Sequence, residues 1–256
     1  MDGRWVEVGD GVLARRHAEL DLTTGLVLGA ERALVVDTRG DARQGAELAA
    51  AVREITRLPL VVAITHAHFD HCFGTAAFAP APVHALPRCR EVLAATAPEQ
   101  RARWSAYYRD RGDAATADAL AATEPPLPDA DAPAALDLGG RAVELRHLGR
   151  GHTDHDLVVT VPDAGVAFAG DLVEQGAPPD FEDAVVAEWP ATLDALLALG
   201  PRTVVPGHGD PVDPAFVAAQ RAELAEVAAL HAAVASGSLP VEEAARRSPY
   251  PGVRWQ

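Results

Sequence analysis

Residues 65 to 71 read Thr65-His66-Ala67-His68-Phe69-Asp70-His71, directly after the apolar run Leu60-Val61-Val62-Ala63-Ile64. Imidazoles and carboxylates packed this closely are the donor set of a divalent metal site, where a bound cation activates water or polarises a carbonyl. In a strand-to-helix turn, the alternation of His66 and His68 points both rings to one side, while Asp70 and His71 reach round to an adjacent point. That layout fits two ions better than one. A histidine-rich loop with no ligand role is the bland alternative, and partners further along the chain count against it.

Those partners are Gly151-His152-Thr153, then Gly170-Asp171, then Pro206-Gly207-His208-Gly209. Each follows an apolar segment that reads as a strand: 142–147 before His152, 165–169 before Asp171 and 203–205 before His208. All four clusters are therefore expected at strand ends, where loops gathered on one edge of a layered α/β structure make a rigid, open pocket.

The order HxHxDH, GHT, a lone Asp after an apolar strand, then PGHG resembles the metallo-β-lactamase-fold superfamily of metallohydrolases. The similarity runs from about Val35-Val36-Asp37-Thr38 to Gly209, with all seven ligand positions filled. It implies a four-layer αββα sandwich. It also implies that His66, His68 and His152 hold a first metal and Asp70, His71 and His208 a second, with Asp171 bridging. The implied cofactors are two divalent ions, zinc first, with iron or manganese as alternatives. Five neutral imidazoles and two carboxylates around two such ions leave about two positive charges, which favour a bridging hydroxide as nucleophile. Asp70 could also relay a proton to the leaving group.

The superfamily supports many substrates on one ligand set, so the fold alone does not choose the reaction. Asp171 stands where one large β-lactamase subclass carries a cysteine, and it resembles the glyoxalase II and lactonase branches instead. The chain contains no lysine and no asparagine, so the lysine that commonly clamps a β-lactam carboxylate has no counterpart and arginine would have to substitute. Glyoxalase II itself adds a C-terminal glutathione-binding domain, whereas only a short tail follows Gly209. The expected activity is hydrolysis of small acyl substrates: an ester, thioester or lactone. The alternatives are a β-lactamase-like hydrolase or an iron-dependent oxidoreductase of persulfide dioxygenase type, which uses a mononuclear site. The intact second set favours hydrolysis.

The elements that must position these residues follow from periodicity. Val6 to Val36 reads as short strands in hairpins, turning at Gly9-Asp10-Gly11 and Gly29-Ala30-Glu31-Arg32. Asp41 to Thr56 reads as a helix capped by Asp41, with Ala46, Ala49, Ala50, Val52 and Ile55 as its apolar positions. From Pro87 to about Ala134 the rhythm breaks into helical runs 88–97, 98–111 and 113–123, expected as an inserted flap. Trp104, Tyr107 and Tyr108 share one face of it. They either pack the flap down or wall the pocket, with a tyrosine hydroxyl able to bond an acyl oxygen. A second variable loop, 174–189, offers Phe181 and Trp189 as apolar contacts, and helices are expected over 214–235 and 241–247.

Cys72 reads as a small buried residue beginning a short helix, and His155 as a residue behind the ligands. Asp37 is expected to order the ligand loops by hydrogen bonding. His17, His84, His147 and His231 carry no motif. The 256 residues with 48% apolar content suffice for one domain spanning 1–256. A net charge of −15 without a basic stretch would repel a nucleic-acid backbone. Two cysteines do not make an extracellular staple framework. Met1-Asp2-Gly3-Arg4-Trp5 lacks an apolar stretch, so a cytoplasmic protein acting on a small molecule is expected, with no membrane partner and a homo-oligomer left open.

Overall fold

The computed structural model describes residues 3–255, so Met1 and Asp2, the first residues of the N-terminal expectation, lie outside it. Seven strands form the first sheet in chain order: β1 (Trp5–Gly9), β2 (Val12–Arg16), β3 (Thr23–Leu28), β4 (Ala33–Val36), β5 (Leu60–Ala63), β6 (Val83–Ala85) and β7 (Ala130–Asp131). The first four run as an antiparallel meander through the predicted turns, and β4 to β7 are parallel. The second sheet has the order β12 (Thr203–His208), β11 (Val166–Glu174), β10 (Val158–Val161), β9 (Ala142–Arg146), β8 (Ala135–Asp137). Only β11 and β12 are parallel there.

Strand periodicity of two builds the layers. In β4, Leu34 and Val36 face the space between the sheets while Ala33 and Val35 face outward, and in β5 Val61 and Ala63 oppose Leu60 and Val62 in the same way. The inner faces meet Val143, Leu145, Val159, Val161 and Phe168 of the second sheet. Helices α1 (Ala42–Ile55), α3 (Pro87–Asp110) and α4 (Ala114–Ala122) cover the first sheet through Leu48, Val52, Leu93 and Leu120. Helices α5 (Trp189–Ala198) and α6 (Pro214–Ala235) cover the second through Leu193, Leu196, Val217, Leu224 and Val227. The result is the αββα sandwich, its strands apolar on both faces because both faces are covered. One-turn α2 (Phe69–Cys72) carries Asp70 and His71, and α7 (Val241–Arg247) is the last helix among the described residues. No helix among the described residues is long and apolar enough to cross a membrane.

Several elements differ from the sequence expectation. Asp41 does cap α1, accepting from Gln44 N at 2.7 Å, but the buried face is Gln44, Gly45, Leu48, Ala51 and Val52, with Ala46 and Ala50 exposed and Ile55 42% exposed. A short alanine side chain contributes little burial energy, so Leu48 and the close approach of Gly45 to Gly74 set the rotation. The flap helix α3 continues through Pro98 rather than breaking there. Proline removes one N–H, and the carbonyl it frees belongs to Ala94, an exposed residue. After α4 the insertion returns as β7 beside β6, so it is not helical throughout. Residues 73–78 form a 3-10 helix. Strand β11 runs on to Glu174, which places Asp171 inside a strand and not in a loop after one.

Candidate metal centre

The ligand turn leaves β5 at Ala63, and His68 stands in extended backbone immediately before α2. Asp171 reaches the same edge because β11 is irregular at Gly170, which adopts φ +53° where a side chain would be strained. The neighbouring strand makes room for the carboxylate: a Cβ at Gly207 would overlap Asp171 Oδ1. The glycine before His208 is thus a space requirement of the site. His152 arrives on the loop after β9, and His208 closes β12.

These side chains form two groups, His66, His68, His152 and Asp171 in one and Asp70, His71 and His208 in the other, each with donor atoms within 4.8 Å of one another. In the first group His152 Nε2 lies 3.0 Å from His68 Nδ1 and 3.5 Å from Asp171 Oδ2, and His66 Nε2 lies 3.6 Å from Asp171 Oδ2. In the second, His71 Nε2 is 3.4 Å from His208 Nε2 and 3.7 Å from Asp70 Oδ2, and His208 Nε2 is 3.4 Å from Asp70 Oδ2. Asp171 faces both, with Oδ1 3.1 Å from His71 Nε2 and Oδ2 3.3 Å from His208 Nε2. Tetrahedral zinc with bonds of about 2.0–2.1 Å has donor-to-donor edges of about 3.3 Å, so these spacings are those of a coordination shell.

The tautomers fit as well. Asp37 accepts from Thr65 N and from the Thr65 hydroxyl, both at 2.8 Å. With that hydroxyl proton committed, His66 Nδ1–H donates to Thr65 Oγ1 (3.0 Å) and Nε2 keeps its lone pair. His71 Nδ1–H donates to Asp37 (2.8 Å), His152 Nδ1–H to the Asp180 carbonyl (3.3 Å) and His208 Nδ1–H to the Leu20 carbonyl (2.7 Å). His68 is reversed: its Nε2–H donates to Asp183 Oδ2 at 3.0 Å, leaving Nδ1 to face the site. Each of the five rings thus has its far nitrogen held by an oxygen and its near nitrogen free to ligate, as in metal sites whose histidines are oriented by outer hydrogen bonds. Buried His66 Nε2 and Asp171 Oδ1 have no hydrogen-bond partner. Such orphaned lone pairs are costly unless a ligand meets them, and the residues fit a metal ion on that ground.

Electrostatics agree for the metal-free site. Burial lowers His66 well below its ordinary value and His152 to about 3. Burial also acts against charge on His71 and His208, but the carboxylates of Asp171 and Asp70 outweigh it, raising His71 well above the ordinary range and His208 to about 10. Asp171 is opposed by burial yet held well below the usual carboxylate range by His71, His208 and His66. Without metal, then, protons take the place of cations around Asp171.

A cavity of about 360 Å³ opens over His68, Asp70, Asp171 and His208. Of the aromatics expected to line it, Trp104 does, stacked on Phe69 with ring centroids 4.5 Å apart. Tyr107 turns instead beneath the Arg111 guanidinium, 3.5 Å from its ring. Tyr108 is 6% exposed and its hydroxyl donates to Glu19. Phe181 and Trp189 are buried in the second sheet's outer core, Trp189 at 0% exposure with its indole N–H donating to the Leu172 carbonyl at 3.1 Å. Trp189 sits edge-on to His152, underneath the site and not in the cavity. Cys72 is buried and its thiol is raised by burial, away from the thiolate a ligand would need.

Beyond Asp37, no local pattern marked the outer residues. Asp183, Asp180, Thr65 and Leu20 hold the rings, and Gln100 of the flap brackets the turn by accepting from Phe69 N and donating to Ala67 O, each at 2.9 Å. His155 accepts from Ala67 N at 3.2 Å with its other nitrogen on Asp154. Asp180, Asp183 and Leu20 lie 28, 115 and 188 residues from the rings they hold, and Gln100 lies 31 from Phe69, separations that spacing cannot reveal.

A family model of the metallo-beta-lactamase superfamily matches residues 19–208. The chain belongs to the metallo-beta-lactamase superfamily. Among curated members it is 29% identical to metallo-beta-lactamase type 2 of Bacillus cereus over 202 residues, covering 73% of this chain and 67% of that protein. The corresponding protein of Bacillus sp. (strain 170) is 30% identical over 194 residues, covering 73% and 66%. That of Bacteroides fragilis is 36% identical over 80 residues, 29% of this chain and 32% of its own length. The alignments thus span about a third to two thirds of these relatives. Superfamily structures from Erythrobacter litoralis and Pontibacter korlensis superpose with TM-scores of 0.65 and 0.66 at 19% identity, each over 87% of this chain and 96% and 98% of theirs. They share the fold.

Proposed function

We propose that this chain is a binuclear, zinc-dependent hydrolase of small acyl substrates: an ester, thioester or lactone. The observation that carries the reading is the set of five imidazoles, each with its outer nitrogen bonded to oxygen and its inner nitrogen turned to Asp171 or Asp70. Two divalent cations held there would supply a hydroxide at neutral pH and polarise an acyl oxygen, replacing a serine or cysteine nucleophile. The chain's own part is to fix the donors through Asp37, Asp183 and the carbonyls of Asp180 and Leu20, and to present Asp70 at the cavity floor as proton carrier for the leaving group. Trp104 and Phe69 give the substrate an apolar wall.

The relatives' name offers β-lactam hydrolysis as a second reading, and one experiment separates the two. Elemental analysis of the purified protein should return about two divalent ions per chain, and a panel of lactones, thioesters, esters and β-lactams should be cleaved fastest among the simple acyl compounds. His208→Ala should lower both metal content and turnover. Saturation at one ion, or preferential cleavage of β-lactams, would sink the proposal.

A further inference from the structure

The rim of the cavity has the opposite charge from its expected floor. Glu99 of the flap helix and Asp180 and Asp183 of the loop after β11 line the cavity and are exposed, and among the described residues no arginine pairs with any of them. Asp183 has only His68 Nε2–H, which is neutral when the ring ligates, so its charge remains. Arg103 is the one arginine lining the cavity among the described residues, and both its terminal nitrogens are bonded to Glu182 at 2.5 Å. Glu182 also faces Arg254 at 3.3 Å. Asp21, also in the lining, is likewise paired with Arg16, which reaches Asp210 as well. The three guanidiniums near the mouth, Arg103, Arg254 and Arg16, are thus matched by three carboxylates, Glu182, Asp21 and Asp210, and Glu99, Asp180 and Asp183 are left without an arginine partner. The whole chain adds to this field with its net charge of −15.

We infer that the substrate carries a cationic group, a protonated or quaternary amine, at the end remote from the scissile acyl carbon, and that carboxylate-bearing substrates are disfavoured. This rests on the acyl-hydrolase reading for the identity of the cleaved bond. The rim stands on its own geometry. An acyl compound with its carbonyl at the ligand floor and its chain along Trp104 and Phe69 would bring its far end to Glu99, Asp180 and Asp183. A cation there meets three carboxylates at a partly apolar mouth, where field lines are focused. An anion there meets the same three as repulsion, and the arginine that could receive it is already engaged.

Three esters of one length and shape test the inference, ending in a trimethylammonium, a neutral tert-butyl or a sulfonate group. The zinc-loaded protein should show a kcat/KM for the ammonium ester at least about tenfold above that for the sulfonate ester at low salt, with the neutral ester between them. The gap should shrink as sodium chloride is raised, because mouth charges are screened. Glu99→Lys should narrow it further. Titration calorimetry with the matching uncleavable ethers reads the same order without turnover. If the ethers bind in that order but no ester is cleaved, the hydrolase reading fails and the rim assignment stands. If the esters are cleaved with no preference, or the sulfonate compounds are preferred or bound as tightly, the inference is overturned.

Discussion

Removing the Asp171 carboxylate takes away a negative charge that touches both ligand groups, with Oδ1 near His71 and Oδ2 near His66, His152 and His208. Asp171→Ala should keep one ion on the three histidines of the first group, bind the second far more weakly, and lose at least about a hundredfold in turnover. Metal analysis after dialysis together with initial rates checks this, and two tightly held ions with near-normal turnover would refute the bridge. Asp37 acts one shell out. It sits at φ +61°, a left-handed conformation held because its carboxylate receives Thr65 N, the Thr65 hydroxyl and His71 Nδ1. Asp37→Ala should weaken metal binding by about 10–100-fold, measured by chelator competition, since it frees the rings of both groups at once.

At the scale of the element, the flap helix divides its aromatics between two tasks. Trp104 faces the cavity, whereas Tyr108 is buried against the first sheet's outer core and bonds Glu19. Trp104→Ala should therefore raise KM or change substrate order with metal content unaltered. Tyr108→Phe should leave KM alone and lower stability by about 1.5–3 kcal/mol, the range for a hydrogen bond to a charged group. Chemical denaturation and steady-state kinetics on both variants separate the roles, and a Tyr108→Phe protein with changed substrate order and full stability would reverse them. Gln100, on the same helix, ties the flap to the ligand turn, so the insertion is part of the site's frame as well as its wall.

For the molecule as a whole, the metal-free state stores positive charge as protons. His71 is raised well above the ordinary imidazole range and His208 to about 10, both by Asp171 and Asp70 acting against burial. At pH 7 these rings carry protons that a cation must displace, so metal uptake should release protons to the buffer. The sign follows: affinity should rise with pH toward about 10, where His208 becomes neutral without help, and fall in acid as the rings hold their protons. Calorimetric metal titrations in buffers of differing ionisation enthalpy measure the number released, and buffer-independent heats would contradict the assignment. The same linkage favours the metal-free fold below about pH 6.5, a contribution lost as pH rises through the folded value of His208.

The side chains that gather in the two groups were legible in the sequence as candidates because each lies within a few residues of an apolar strand, and strand periodicity with turn glycines is local information. Doubly buried strands such as 33–36 and 60–63, the Asp41 cap and helix 214–235 were legible for the same reason. The rotation of α1, the unbroken run of α3 through Pro98 and the burial of Trp189 were not. Each is set by what packs against the element, and an alanine-rich or aromatic stripe reads alike whether it faces core or cavity. Asp171 was identified by type and order, but its place within β11 depends on the bulge at Gly170 and the space at Gly207 on a neighbouring strand. Residue order alone established which donor atoms the chain owns and in what succession they come. Tertiary structure alone decided which nitrogen of each ring faces inward and which charges gather at the mouth, because both depend on through-space partners such as Asp183, 115 residues from His68.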